Sequence, residues 1–412
     1  MPRLPALIAA ALGLCAAQLN AATLRVGPGE ALGSIAEAAR LARDGDVVEI
    51  LPGTYRGDVA VWTQRRLTLR GLDPRPVLVA DGRSAEGKAI WVIRNGDITI
   101  DNIEFRGARV ADGNGAGIRF ERGRLHVRNS AFIDNQTGIL TANFADAELR
   151  IDDSVFADAP RQTHSLPHLL YVGRIARFEL SGSRFHRGYR GHLIKSRARH
   201  NEIRYNLIDD GPGGEASYEI DLPNGGLAWV IGNVIAQSAT TQNPVVVAYG
   251  AEGKAWPENA LYLAHNTLLS ARIGAWFLRV WQARLPDGAE IVATNNLTVG
   301  IGSFALSAPG RFTGNVPALA AALGDPDAFD FTLPAGSLLR RFGATPGTAR
   351  GHSLAPQAEF TLPIGTRPLP ATPASWAPGA FQRSGHAPHA APALEFGPSA
   401  PGADWHRPPP TE

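Results

Sequence analysis

The strongest constraint on this chain is a short motif that keeps returning along it. It reads ITIDNIEF at 98–105, LHVRNSAF at 125–132, ELRIDDSVF at 148–156 and RFELSGSRF at 177–185. Later copies are EIRYNLI at 202–208, WVIGNVI at 229–235, YLAHNTLL at 262–269 and VATNNLTV at 292–299. Aligning Ile103, Ser130, Ser154, Ser183, Asn206, Asn233, Asn266 and Asn296 gives steps of 27, 24, 29, 23, 27, 33 and 30 residues. The mean, about 28, is a solenoid repeat length. One such unit cannot bury its apolar side alone; stacked units bury a continuous core.

Each repeat carries a second strand, often opened by glycine. Examples are GIRF at 117–120, GILT at 138–141, HLLY at 168–171 and HLIK at 192–195, then SYEIDL at 217–222, PVVVAYG at 244–250 and AWFLRV at 275–280. Alternate residues of a strand face opposite sides, so one set fills a core and the other builds a flat outer face. The recurrent Asn and Ser suit tight turns, where their side chains stack as ladders. Gly 45 and Pro 31 fit a chain of many turns and few long helices. The expected fold is all-β, a single-stranded parallel β-helix over 23–320. An open solenoid end needs a cover. SIAEAARLAR at 34–43 has helical apolar spacing, with Ser34 and Glu37 placed as a capping box, and predicts an N-terminal capping α-helix. Residues 321–412 are expected to form an irregular wrap, ending near WAPGAFQ at 376–382, and a Pro/Ala-rich disordered tail.

Residues 1–22 have the pattern of a signal peptide. Arg3 is followed by an apolar run, Leu7 to Ala17, too short to span a bilayer, and by small residues at Ala21 and Ala22. The expectation is an exported protein, periplasmic or secreted, with no membrane span. The only cysteine, Cys15, lies in this segment, so the processed chain has no disulfide. A lipid anchor on Cys15 is the alternative, and Leu14 before it fits a lipoprotein signal poorly. The net charge of +2 gives no reason to expect a nucleic-acid partner. A monomer is expected.

With its repeats and the opening VGPGEALGSIAEAARLARDGDVVEILPGTY, the chain resembles exported bacterial members of the right-handed parallel β-helix, or pectin-lyase-like, superfamily over about residues 23–315. The resemblance implies a polysaccharide partner and leaves the chemistry open among lyases, epimerases, hydrolases and binding proteins. GHLIKSRARHNEIRYNLI at 191–208 resembles the core of the chondroitinase-B-like and alginate lyases of polysaccharide lyase family six. That resemblance implies Lys195 as the base. Gly188 and Arg190 stand where this family places calcium-binding glutamates, and YEIDLPNGG at 218–226 lacks its arginine. No cofactor is therefore expected, and calcium only with a different ligand set.

Independently of any family, residues 184–204 concentrate Arg184, Arg187, Arg190, Lys195, Arg197, Arg199 and Arg204, with Glu202 the sole acid. Such a patch attracts an anionic, uronic-acid polymer. A solvated edge whose arginines pair with acids of neighbouring coils is the plainer reading. β-Elimination needs a base and a cation for the substrate carboxylate. A lysine among arginines loses its proton more readily. The candidates are Lys195 as base, Arg190 or Arg197 as neutraliser, and Tyr189 or His192 as proton carriers.

The next coil offers Glu219 and Asp221, whose spacing of two predicts a shared face beside Lys195. There they would pair with the basic patch, bind a hydroxyl, or act as acid and base in hydrolysis. Asn224, in a tight Pro-Asn-Gly-Gly turn, and then Tyr249, Glu252, Trp256, Arg279 and Trp281 are candidate sugar contacts, although aromatic residues more often pack than bind. Asp209-Asp210 resembles the paired aspartates of polygalacturonase-like hydrolases, without their Gly-His-Gly after the pair. There is no zinc spacing, phosphate loop or serine elbow. A lyase on an anionic polysaccharide is the favoured reading; an epimerase, or a non-catalytic glycan-binding scaffold, is the alternative.

Overall fold

The computed structural model describes residues 21–385, apart from 163, 287, 306–308 and 371–372. Residues 1–20, most of the segment expected to be a signal peptide, Cys15 among them, and the tail beyond 385 therefore lie outside the described residues. The remainder is a β-solenoid whose coils each add one strand to three parallel sheets of 12, 11 and 10 strands. In one coil these are Asp97–Asp101, Glu104–Arg106 and Ala116–Phe120, in that order. The last strand of the 11-stranded sheet is Val316–Ala318.

The aligned Ser and Asn residues form one continuous ladder. Each repeat residue takes its backbone N–H to the side chain one coil on, from Ile103 to Ser130, Ser154, Ser183, Asn206, Asn233, Asn266, Asn296 and Asn315. The residue before each ladder position has a positive φ: Asn102, Asn129, Asp153, Gly182, Tyr205, Gly232, His265, Asn295 and Gly314. This left-handed residue turns the chain between the 12- and 11-stranded sheets, and Asn, Asp and Gly tolerate it best. Inside the tube, Phe105, Phe132, Phe156 and Phe185 stack ring on ring with centroids 5.1, 4.7 and 4.8 Å apart.

A helix over Ile35–Leu41 covers the first coil. Ser34 Oγ accepts from the Glu37 N–H at 3.2 Å, as its sequence predicts. The remaining first-turn donors go to Asp58, whose carboxylate accepts from Ile35 N at 2.6 Å and Ala36 N at 2.9 Å.

Beyond Ala318 the chain turns back as a wrap. Leu323, Phe331, Leu333, Phe360 and Phe381 pack on Leu207, Val234 and Leu297 of the 11-stranded sheet. Ala349 and Leu354 pack on Trp229 and Tyr262 of the 12-stranded sheet. The wrap tracks the ridge of left-handed residues. Gly365 N donates to Gly182 O, Gln357 N to the Tyr205 hydroxyl, and Ala344 N to Asn295 Oδ1. Gln382 meets His265 at 3.2 Å. Two bulky residues in a costly conformation, Tyr205 and His265, are thus held by the segment that covers them. These contacts leave the 10-stranded sheet as the open face. Among the described residues no helix is long and apolar enough to cross a membrane.

Candidate functional site on the open face of the 10-stranded sheet

The register of this sheet places Leu140, Tyr171, Lys195, Asp221, Ala248 and Arg279 in one outward column, with Arg119 one strand before Leu140. At the centre of the column four successive coils converge. Lys195 Nζ lies 2.8 Å from Glu252 Oε1 and 3.6 Å from Asp221 Oδ2. Arg197 grips both Glu252 oxygens, with Nη2 2.8 Å from each, and its other amino group donates to the Tyr171 hydroxyl. His192 Nε2 is 3.3 Å from Asp221 Oδ2. His168 lies under this ring, its Nδ1 accepting from the His192 N–H at 2.9 Å, and Tyr218 stacks on the other side at 4.8 Å.

Asp221 is the most enclosed of these charges, its side chain 2% exposed against 11% for Lys195 and 38% for Glu252. Burial pushes its carboxyl up to about 7, against the pull of Lys195. The Glu252 carboxyl is held below its usual value by the Lys195 and Arg197 hydrogen bonds, which outweigh its partial burial. Burial, with the positive charge of Lys195 and Arg197, pushes His168 down to about 3, and His192 is also well below the usual range. Both imidazoles are therefore neutral at neutral pH, which makes them spacers and hydrogen-bonding groups rather than cations.

Of the sequence candidates, Lys195, Arg197, His192, Asp221 and Glu252 meet here. Several others do not. Tyr189 and Arg190 sit at the corner before the strand Ile194–Ser196. The Tyr189 ring lies under Arg161, and among the described residues neither Tyr189 nor Arg190 makes a hydrogen bond or ion pair with Lys195, Arg197, Asp221 or Glu252. The neutraliser role falls from Arg190 for that reason. The charged neighbours of Lys195 are Asp221 and Glu252 as well as Arg197, which shares Glu252 with it.

Glu219 and Asp221 do not share a face. In each coil two consecutive residues point inward at this point, Leu193 with Ile194 and Val246 with Val247, so alternation breaks. Glu219 falls level with Leu193, inside the tube, where Gln237 Nε2 donates to it at 3.1 Å. Burial raises its carboxyl well above the usual range. An acid–base pair of Glu219 and Asp221 across a substrate is thereby ruled out. Tyr249 is likewise turned inward, fully buried with its hydroxyl donating to Gly226 O at 2.5 Å, and offers no ring to a sugar. Asn224 is buried and donates to Gly253 O at 2.7 Å, which ties down the loop that carries Glu252. Trp256 Nε1 donates to Arg197 O at 3.0 Å, and Arg174 covers its ring.

Arg279 and Trp281 remain on the open face. The Arg279 guanidinium lies between the Trp276 and Trp281 rings, 4.4 and 4.6 Å from their centroids, and makes no ion pair among the described residues. The sequence reading missed Tyr171, His168, Trp276 and Arg119. The strand HLLY at 168–171 was visible, but only the coil-to-coil register shows that its tyrosine abuts Lys195.

Calcium does not fit the corner where the lyase resemblance would place it. A Cβ on Gly188 would lie 2.7 Å from Leu193 and 2.9 Å from Ala216, so an acidic side chain there would have to push both aside, and the second position holds Arg190. Among the described residues no three His, Cys, Asp or Glu side chains group around a metal position. Asp209 and Asp210 also part: Asp209 faces outward, while Asp210 turns in to accept from Gly188 N at 2.7 Å and Ala216 N at 3.0 Å.

The solenoid of three parallel sheets, with its capping helix and open 10-stranded face, is a single parallel β-helix. A solved structure with the same fold is the crystal structure of pectate lyase Pel9A, with a TM-score of 0.60 and 13% identity over 88% of this chain and 96% of that one. No family model and no curated protein matches the sequence.

Proposed function

We propose that the open face binds a uronic-acid polysaccharide and cleaves it by β-elimination at Lys195. The observation that carries this reading is the convergence of Lys195, Asp221, Arg197 and Glu252 on a sheet that the described part of the wrap leaves uncovered. The pectate lyase likeness supports a polysaccharide as partner. Further support comes from Arg119 and Arg279. They stand three strands to either side of Lys195 in its column, roughly 14 Å at about 4.8 Å per strand. Neither makes an ion pair among the described residues. A polyanion lying along the column meets a cation at both ends and the Lys195 cluster in the middle.

The lysine and the buried aspartate work as a unit. Lys195 as ammonium beside Asp221 as carboxylate carries the same net charge as Lys195 as amine beside protonated Asp221. The second arrangement puts a free amine at the surface. That amine takes the proton beside the substrate carboxylate, the bond to the leaving oxygen breaks, a carbon–carbon double bond forms and the leaving oxygen takes up a proton from water. Arg197 faces the substrate carboxylate and stabilises the charge that develops.

Glu252 occupies the anion position between Lys195 and Arg197, on a loop flanked by Gly250 (φ 81°) and Gly253 (φ 65°). A substrate carboxylate displaces it. Glu252→Ala is accordingly expected to bind an oligouronate about tenfold more tightly, roughly 1.4 kcal/mol, by calorimetry. Weaker binding would make Glu252 a positioning group instead.

A pH profile tests the Asp221 role. Below about pH 7 Asp221 already holds a proton and cannot take one from Lys195. The value of kcat/KM is expected to rise through about pH 7 and to lose that inflection, with most of the rate, in Asp221→Asn. The raised folded-state value also means that Asp221 costs stability increasingly as pH climbs from its ordinary 3.8 to about 7. The same variant should therefore melt higher than the native chain at pH 8. A variant that loses both rate and stability contradicts this.

The reaction class is tested by mass spectrometry of the products. Elimination gives fragments whose masses sum to that of the substrate; hydrolysis adds one water, and epimerisation leaves the chain uncut.

A further inference from the structure

A second cleft lies on a different wall of the solenoid from Lys195. Loops 210–214 and 238–241 stand off the 11-stranded sheet, and the wrap crosses them at 326–331, enclosing a space of about 610 Å³. That volume is within the range of small-ligand sites. Its floor is the outward column Asp209, Ala236 and Leu269, and its apolar wall is Phe329 and Phe331.

The cleft is preformed. Ser238 and Thr240 both donate their hydroxyls to Gly214 O, which locks one loop to the other. Gly211, at φ 72°, lets its loop pass over His186: an added Cβ would sit 2.2 Å from that ring. Asp209 lines the floor. One of its oxygens accepts from Gly211 N at 2.9 Å, and the other makes no hydrogen bond among the described residues. Burial raises this carboxyl, so an added donor is worth more to it than to a solvated one.

The charges around the cleft balance and favour a neutral ligand. Asp209 and Asp327 line it, Arg187 is engaged by Asp158, and Arg184, near Asp209, lies against the Phe329 ring, 4.6 Å from its centroid. A carboxylate beside aromatic and aliphatic carbon is the usual chemistry for sugar hydroxyls and C–H faces. We propose that this cleft binds a neutral saccharide of one or two rings, its hydroxyls donating to Asp209 and its ring packed against Phe329, Phe331 and Leu269. The site is independent of the elimination chemistry. It gives the protein a hold on neutral chains while the 10-stranded sheet handles an anionic one.

Saturation-transfer NMR with cellobiose, maltose and lactose, each against the native chain, tests this, with trigalacturonate as the anionic control. At least one neutral disaccharide is expected to bind, at least tenfold more weakly in Asp209→Ala and in Ala239→Trp, and unchanged in Lys195→Ala. Ala239 is exposed at the cleft mouth, so its replacement fills the space without disturbing the core. The proposal is overturned if no neutral disaccharide binds, if binding survives in the folded Ala239→Trp variant, or if it disappears in Lys195→Ala.

Discussion

Lys195→Ala is expected to lower the elimination rate by about 10³-fold, the scale on which a positioned proton-transfer group works, and to leave the melting temperature nearly unchanged. The two parts of this expectation rest on different facts. Lys195 stands on the outer face of the 10-stranded sheet, and removing it takes nothing from the core beneath, which Ile194 and Ile220 fill. Its amine is the one group of the cluster placed both to reach a substrate and to exchange a proton with buried Asp221, 3.6 Å away. The variant leaves Arg197 on Glu252 through two 2.8 Å hydrogen bonds, so the anion position survives. Binding of an oligouronate should consequently fall far less than turnover. Equal losses in binding and rate would make Lys195 a substrate anchor, and an unchanged rate would remove it from the chemistry.

Asn233→Ala is expected to cost about 4 kcal/mol of stability, an exceptional value for one surface-remote substitution. Asn233 sits in the middle of the ladder. Its Oδ1 accepts from Asn206 N and Nδ2 at 3.0 and 2.9 Å, and its Nδ2 donates to Ile203 O at 2.9 Å and Asn266 Oδ1 at 3.0 Å. All of these groups are fully buried. Alanine removes the side chain and strands the Asn206 N–H and the Ile203 carbonyl, at about 1–3 kcal/mol for each unpaired group. Asn233→Asp is the sharper control: it keeps the acceptor for Asn206 and loses only the donor, so it should cost less at low pH than at neutral pH. Chemical denaturation of the three chains measures the differences. A cost below about 1 kcal/mol for Asn233→Ala would mean that water replaces the ladder.

The fold was legible in the sequence because a solenoid writes its period into the chain. The intervals read between Ile103 and Asn296 are the coil-to-coil spacings of the ladder hydrogen bonds. Ser34 likewise announced the helix start that it caps. The centre of the candidate site was partly legible. Lys195, Arg197, His192, Asp221 and Glu252 each came from local pattern. Their company did not, because contacts between coils join residues up to 57 positions apart, as in Lys195 and Glu252.

Face assignment by strict alternation failed at Glu219. The strands of the 10-stranded sheet turn two neighbouring residues inward, which carried Glu219 into the core and left Asp221 outside. Tyr189 and Arg190 were misplaced for a different reason: closeness in sequence to Lys195 says little where a corner intervenes. The path of the wrap was not legible at all. It is fixed by side-chain contacts along the left-handed ridge, such as Gln357 with Tyr205, which leave no periodic trace.

Ultraviolet absorbance of the unsaturated uronate product tests whether the open face around Lys195 performs β-elimination on a uronic-acid polymer. Purified chain would be mixed with polygalacturonate, alginate, glucuronan, chondroitin and hyaluronan, with and without a calcium chelator. A steady rise is expected on at least one of these polymers, unaffected by the chelator and abolished in Lys195→Ala. No rise on any polymer, or a rise that persists in Lys195→Ala, would contradict it.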